Sequence, residues 1–316
     1  MLQGAGIGEG DAITQSSSDA GSAPLAYYAA PGPLTDLRAR AAQLRDLPES
    51  LPDLCRVVQG LVVHPYLGHL YGLAPGALHL EDLEIRGAAE FVDRALALDS
   101  RPLAEARTPE HRVVGNCRHF TVLLCALLRL RGVPARARCG FATWFEPSQF
   151  TDHWVCEVWD PARGRWHLVD AQLDARQREL FRIDFDPLDV PRAQFVVAGA
   201  AWRRCRAGAV DPRRFGILDY RGQWFVRGNL VRDLAARAKR ELLPWDGWGI
   251  MADQHESDAA ELALLDRVAE LTEAGDERHA EVLALQASEP GLRVPAKLVS
   301  FNLGGAEIRL APGVAN

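Results

Sequence analysis

Apolar positions recur along the chain with two different periods. In residues 34–47, LTDLRARAAQLRDL, the spacing of Leu34, Leu37, Ala41, Leu44 and Leu47 predicts a helix with one buried face. Two more helical patterns follow, LPDLCRVVQGLVVH from Leu51 and LEDLEIRGAAEFVDRALAL from Leu80, the latter with Leu83, Ala88, Phe91, Val92, Ala95 and Leu96 inward. Residues 116–131 are apolar almost throughout and are stopped by Gly132 and Pro134, the pattern of a buried helix. The period then shortens. VPARARCGFATWF, HWVCEVWD and RWHLVDAQ are short β-like runs separated by turn residues. Helix resumes after Pro191 in AQFVVAGAAWRRCRAG and GNLVRDLAARAKREL, and residues 256–287 predict an amphipathic helix or a pair broken near Gly275. KLVSFNL and AEIRLAP predict two last strands. A helix followed by a few antiparallel strands is an α+β pattern. The chain thus divides into a disordered arm (1–33, rich in Gly, Ala and Ser), a helical subdomain (34–99), an α+β core (100–190) and a mainly helical C-terminal extension (191–316) expected to pack on that core.

Composition narrows the function classes. The 316 residues are 48% apolar and 25% charged, enough for a sizeable core without disulfide or metal staples. The net charge of −6 argues against a nucleic-acid partner, since phosphate binding calls for a basic face. No apolar run is long enough for a membrane span, and MLQGAGIGEGDAITQ lacks the basic-then-apolar order of a secretory leader, so a cytoplasmic location is expected. Cys55, Cys117, Cys125, Cys139, Cys156 and Cys205 contain no C-x-x-C pair, which disfavours a zinc knuckle, and in a reducing compartment they are free thiols. A metal set of Cys139, His153 and Cys156 is conceivable, but no bound cofactor or metal is expected.

The chemistry concentrates between Gly115 and Asp174. Gly115 permits a tight turn, Asn116 is a candidate N-cap, and Cys117 then stands on the first helical turn. Unpaired N–H groups and the helix dipole favour negative charge there, on a sulfur or on a developing oxyanion. Downstream, a hairpin that pairs Trp159 with Gly164 sets His153 directly across from Asp170, close enough for the carboxylate to orient the imidazole. A one-residue slip would separate them onto opposite faces. The neighbours read more blandly. His119 suits a local contact, Asp152 and Glu157 suit solvation or ion pairing, Cys125 belongs to the core, and Cys139 and Cys156 are packed strand thiols.

The order Cys, His, Asp on helix, strand and adjoining strand resembles the transglutaminase-like superfamily. GNCRHFTVLLCALLRLRGVPARARCGF is similar to its nucleophile segment, and TDHWVCEVWDPARGRWHLVDAQLD to its histidine and aspartate segments. The longer pattern through DPLDVPRAQFVVAGAAW and GNLVRDLAARAKRELLPWD resembles a bacterial branch. The resemblance implies a papain-like fold, a nucleophile helix packed on a small antiparallel sheet, with Cys117 as nucleophile, His153 as general base and acid, and Asp170 as orienting carboxylate. It implies acyl transfer through a Cys117 thioester from a small-molecule or peptide donor, passed to water or to an amine acceptor. Two positions depart from the crosslinking members, Arg118 after the nucleophile and Trp154 after the histidine. The rival expectation is a catalytically inactive binding module on the same fold.

Overall fold

The computed structural model describes residues 19–316 and shows a mixed α/β chain. Its elements are α1 (Asp19–Ala29), α2 (Leu51–Leu61), β1 (Val62–Val63), α3 (Ala88–Leu98), β2 (Val113–Val114), α4 (Cys117–Leu130), β3 (Ala135–Ala142), β4 (Phe150–Asp160), β5 (Arg165–Val169), α5 (Ala175–Leu180), β6 (Phe195–Val197), α6 (Ala198–Arg206), β7 (Phe215–Ile217), β8 (Tyr220–Arg221), α7 (Gln223–Arg237), β9 (Asp246–Gly247), α8 (Ala259–Glu273), α9 (His279–Ser288), β10 (Lys297–Ser300) and β11 (Ala306–Arg309). Helix α4 follows its sequence pattern closely. Ser50 caps α2 through its side chain, and α8 and α9 form the expected pair interrupted at Gly275.

Three expectations are corrected. The disordered arm of residues 1–33 is helical from Asp19, and Tyr28 is fully buried with its hydroxyl donating to the Arg237 carbonyl at 2.9 Å; residues 1–18 lie outside the described part. Residues 34–47 are turns and one short 3₁₀ segment instead of an α-helix, although Leu34, Leu37, Leu44 and Leu47 are buried as the pattern demands. Burial by itself fixes which side chains face inward, not the backbone that carries them. Third, the 193–208 pattern splits into β6 and α6.

The central sheet runs β6-β3-β4-β7-β8, with β5 also paired to β4. Strand β3 covers one edge of β4 from Thr151 to Val158. The other edge is shared: β7 pairs only with Phe150 and Thr151, and β5 only from Cys156 to Asp160. Among the named strands nothing pairs with that edge from Asp152 to Val155, the stretch that contains His153. Helix α4 packs against β4 and α7 against β3. Trp154, Cys156 and Val158 enter the α4 core with Leu124, Cys125 and Leu128, and Phe141 joins a second core with Trp202 and Leu230. Among the described residues no helix is long and apolar enough to cross a membrane.

Candidate active site

Local chemistry positions the cysteine first. Asn116 caps α4, its Oδ1 accepting the Arg118 N–H at 3.1 Å. His119 closes the capping box, with Nδ1 accepting the Asn116 N–H at 3.1 Å. Its Nε2 therefore carries the proton and donates to the Ile85 carbonyl at 2.9 Å. Burial, with the Arg118 charge, holds this imidazole neutral far below its usual range. A Cβ on Gly115 would lie 2.8 Å from the His119 Cβ and 2.9 Å from Val62, so only glycine fits between β1 and the helix start. Arg118 is also structural: it leads away from the site, fully buried, and donates to the carbonyls of Glu241 (2.8 Å) and Arg86 (2.7 Å). It thereby ties the first turn of α4 to the C-terminal extension.

The hairpin brings the histidine and the carboxylate together, though not by the expected register. Asp160 pairs with Arg165 around the turn Pro161–Gly164, and the ladder ends at Cys156 opposite Val169. Gly164 adopts a left-handed conformation, φ +61°. His153 is therefore not directly opposite Asp170. The slide is an even number of residues, so both still project to one face, and Asp170 reaches back along the unpaired edge. His153 Nε2 meets Asp170 Oδ2 at 2.7 Å, while Asp170 Oδ1 accepts the Gln172 N–H at 2.9 Å. On the other neighbour of His153, β3 presents bare Gly140, where a Cβ would fall 2.4 Å from the Val196 carbonyl.

With Nε2 turned to Asp170, Nδ1 is the nitrogen left for Cys117. Burial by itself would push the His153 imidazole down, but the Asp170 carboxylate and the Cys117 sulfur beside it outweigh this and push it up to about 10. The three groups are almost wholly covered: Cys117 is 7% exposed, His153 2% and Asp170 2%. Trp144 and Phe145 meet the His153 ring edge-on at 5.5 and 5.0 Å, and Phe181 stands against Phe145 at 4.8 Å. This aromatic wall comes from the loop between β3 and β4 and from the residue that ends α5.

The remaining candidates fall elsewhere. Burial pushes Cys55 up to about 12 and the half-buried Cys205 up to about 11, and raises Cys139 and Cys156 well above the usual thiol range; Cys55, Cys139 and Cys156 are packed thiols. The sulfurs of Cys125 and Cys156 touch at 3.2 Å between α4 and β4. Asp152 is buried, not solvated, and accepts from Asn229 Nδ2 at 2.7 Å. Glu157 is ion-paired with Arg136 and Arg138. Among the described residues no set of three or more His, Cys, Asp or Glu side chains is arranged to hold a metal ion, and Cys139, His153 and Cys156 form no such set. One neighbour escaped sequence reading. His64 lies close enough to His153 for the two charges to oppose each other, and no local signal in HPYLGHLY marks it.

The family model that matches the chain covers residues 94–171, which include Cys117, His153 and Asp170. This segment matches the transglutaminase-like superfamily. The transglutaminase-like segment spans α3 from Arg94, α4 and the hairpin, and leaves His64 and the C-terminal extension outside. No curated protein matches the chain. Among solved structures it is similar to a provisionally named cysteine protease from Cytophaga hutchinsonii, at 16% identity and a TM-score of 0.30, over 54% of this chain and 44% of that one. The chain thus spans less than half the length of that protein.

Proposed function

We propose that the protein is a cysteine-dependent acyl-transfer enzyme on a papain-like core, with Cys117 as nucleophile, His153 as general acid and base, and Asp170 as orienting carboxylate. The observation that carries this reading is the 2.7 Å contact from His153 Nε2 to Asp170, which leaves Nδ1 for the Cys117 sulfur at the first turn of α4. Cys117 attacks as the thiolate beside the His153 imidazolium, and the raised pKa of His153 favours the protonated ring that this pairing needs. The sulfur adds to the carbonyl carbon of an amide or ester, and the π pair moves to oxygen. When that pair returns, the bond to the leaving group breaks and Nδ1–H protonates the departing amine or alkoxide. A thioester remains on Cys117. Neutral His153 then takes a proton from water, or from an amine, as it attacks the thioester and regenerates the thiolate. Asp170 holds the ring orientation in both halves. The donor is a small molecule or peptide.

The deep burial of Cys117 favours a second reading, a catalytically inactive binding module whose cleft stays closed. Alkylation separates the two. Iodoacetamide at mildly acidic pH should label Cys117 faster than Cys205, the partly exposed thiol. Labelling of Cys117 no faster than Cys205 would sink the enzyme reading in favour of the module.

A further inference from the structure

A thiolate attack needs donors for the oxygen that becomes negative. One is in place on α4. Of the first-turn N–H groups, Arg118 is taken by Asn116 Oδ1 and His119 by the Asn116 carbonyl, and among the described residues no acceptor meets the N–H of Cys117. The second must come from another element, and the fold brings a histidine beside the turn that leads into Cys117. Strand β1 runs parallel to β2, with Val63 beside Val114, and the Gly115 N–H donates to the Val63 carbonyl at 3.0 Å. The next residue, His64, therefore flanks the Gly115–Asn116 turn that leads into Cys117. The far side of its segment is tied to the loop after Asp170: the Tyr71 hydroxyl donates to Asp174 Oδ2 at 2.7 Å and accepts from Gln177 Nε2 at 3.0 Å. His64 is thus fixed between the nucleophile turn and the carboxylate loop.

Its tautomer is fixed as well. Nδ1 accepts the Tyr66 backbone N–H at 3.3 Å, so in the neutral ring the proton sits on Nε2. Among the described residues Nε2 makes no hydrogen bond. Burial, with the opposing charge of His153, pushes His64 down to about 3, which leaves it a neutral donor that does not compete for the thiol proton.

We propose that His64 is the side-chain donor of the oxyanion hole, its Nε2–H and the Cys117 N–H together holding the carbonyl oxygen as Cys117 adds to the acyl group. The inference rests on the cysteine acyl-transfer reading and adds a catalytic residue outside the transglutaminase-like segment. His64 gives up no proton. It shortens its hydrogen bond as charge grows on oxygen and relaxes when the leaving group departs.

Two reactions of one thiol test this. Acylation of Cys117 by p-nitrophenyl acetate passes through a tetrahedral oxyanion, whereas alkylation by iodoacetamide is a displacement with none. Both are measured on the full chain and normalised to titratable Cys117. In His64→Ala the p-nitrophenolate burst should slow about 10²-fold or more while alkylation is unchanged. His64→Gln, which keeps an N–H donor, should regain part of the burst rate. The proposal is overturned if acylation survives His64→Ala, if acylation and alkylation fall together, or if His64→Gln is no faster than His64→Ala. A wild-type Cys117 that neither alkylates nor acylates faster than Cys205 removes the cysteine reading itself, and the role of His64 with it.

Discussion

Strand β4 carries two buried acid–base clusters on alternate positions of one face, and their chemistry is opposite. Around Glu157 every cation is a guanidinium. Arg136 Nε approaches at 2.6 Å and Arg138 Nη1 at 3.2 Å, Arg192 joins from the surface, and Arg138 continues to Asp233 at 2.9 Å. Burial would raise the Glu157 carboxyl, but the three arginines hold it well below its usual range. Arginine does not give up its proton in a protein, so this cluster has one charge state and can only brace β3, β4 and α7. Around His153 the partners are one carboxylate and one thiol, and the shared proton has somewhere to go. The same strand thus holds a permanent ion cluster and a titratable one. The contrast teaches that burial and pairing do not by themselves mark a reactive site; exchangeable protonation does.

The sharpest break between the clusters is in turnover. Cys117→Ala and His153→Ala should each lower acyl transfer by about 10⁴-fold or more while the chain stays folded, and Asp170→Asn by about 10²-fold, because the amide still touches the ring but favours the wrong tautomer. Single-turnover acylation of purified variants, with circular dichroism as the folding check, measures this. Glu157→Gln should do the reverse. It leaves buried guanidinium groups underpaired and should cost about 3–5 kcal/mol in urea unfolding, with acylation per folded molecule unchanged. A Glu157→Gln protein as stable as wild type would undo the comparison.

Stability against pH sharpens it further. The folded pKa of His153, about 10, lies above its ordinary 6.5. Its contribution is complete below the ordinary value and is lost as pH climbs through about 10. Glu157 is depressed, so its contribution is complete above its ordinary 4.5 and is lost as pH falls through the folded value. Urea midpoints across pH should show His153→Gln flattening only the alkaline loss and Glu157→Gln only the acid loss. The smallest effect is expected at Arg192, whose side chain is 56% exposed; Arg192→Ala should cost under about 1 kcal/mol by the same unfolding measurement.

Much of the site could be read from local pattern. Asn116 and the apolar run to Leu130 place Cys117 on a first helical turn because capping and helical period are local effects. The hairpin could be read too, and its register erred by an even step because PARG forms a turn one residue later than expected. That error kept His153 and Asp170 on one face and still misplaced the contact, which uses a diagonal neighbour at the unpaired edge of β4. His64 could not be read at all. The Gly115–Asn116 turn that it flanks is remote in the chain, and the parallel pairing of β1 with β2 that joins them consists of only two residues on each side.

The amino-acid sequence alone determined which positions turn inward, the capped start of α4 and the turn of the hairpin, since these depend on residues within a few positions of one another. Tertiary structure decided what those residues face. Arg118 was a departure from the family pattern until its guanidinium was seen bonded to carbonyls of Arg86 and Glu241. The helix from Asp19 is held to the body by Tyr28, whose hydroxyl donates to the Arg237 carbonyl, and packing gives His153 and Glu157 partners of opposite kinds. Those outcomes depend on contacts between segments far apart in the chain, whose free energy no local pattern carries.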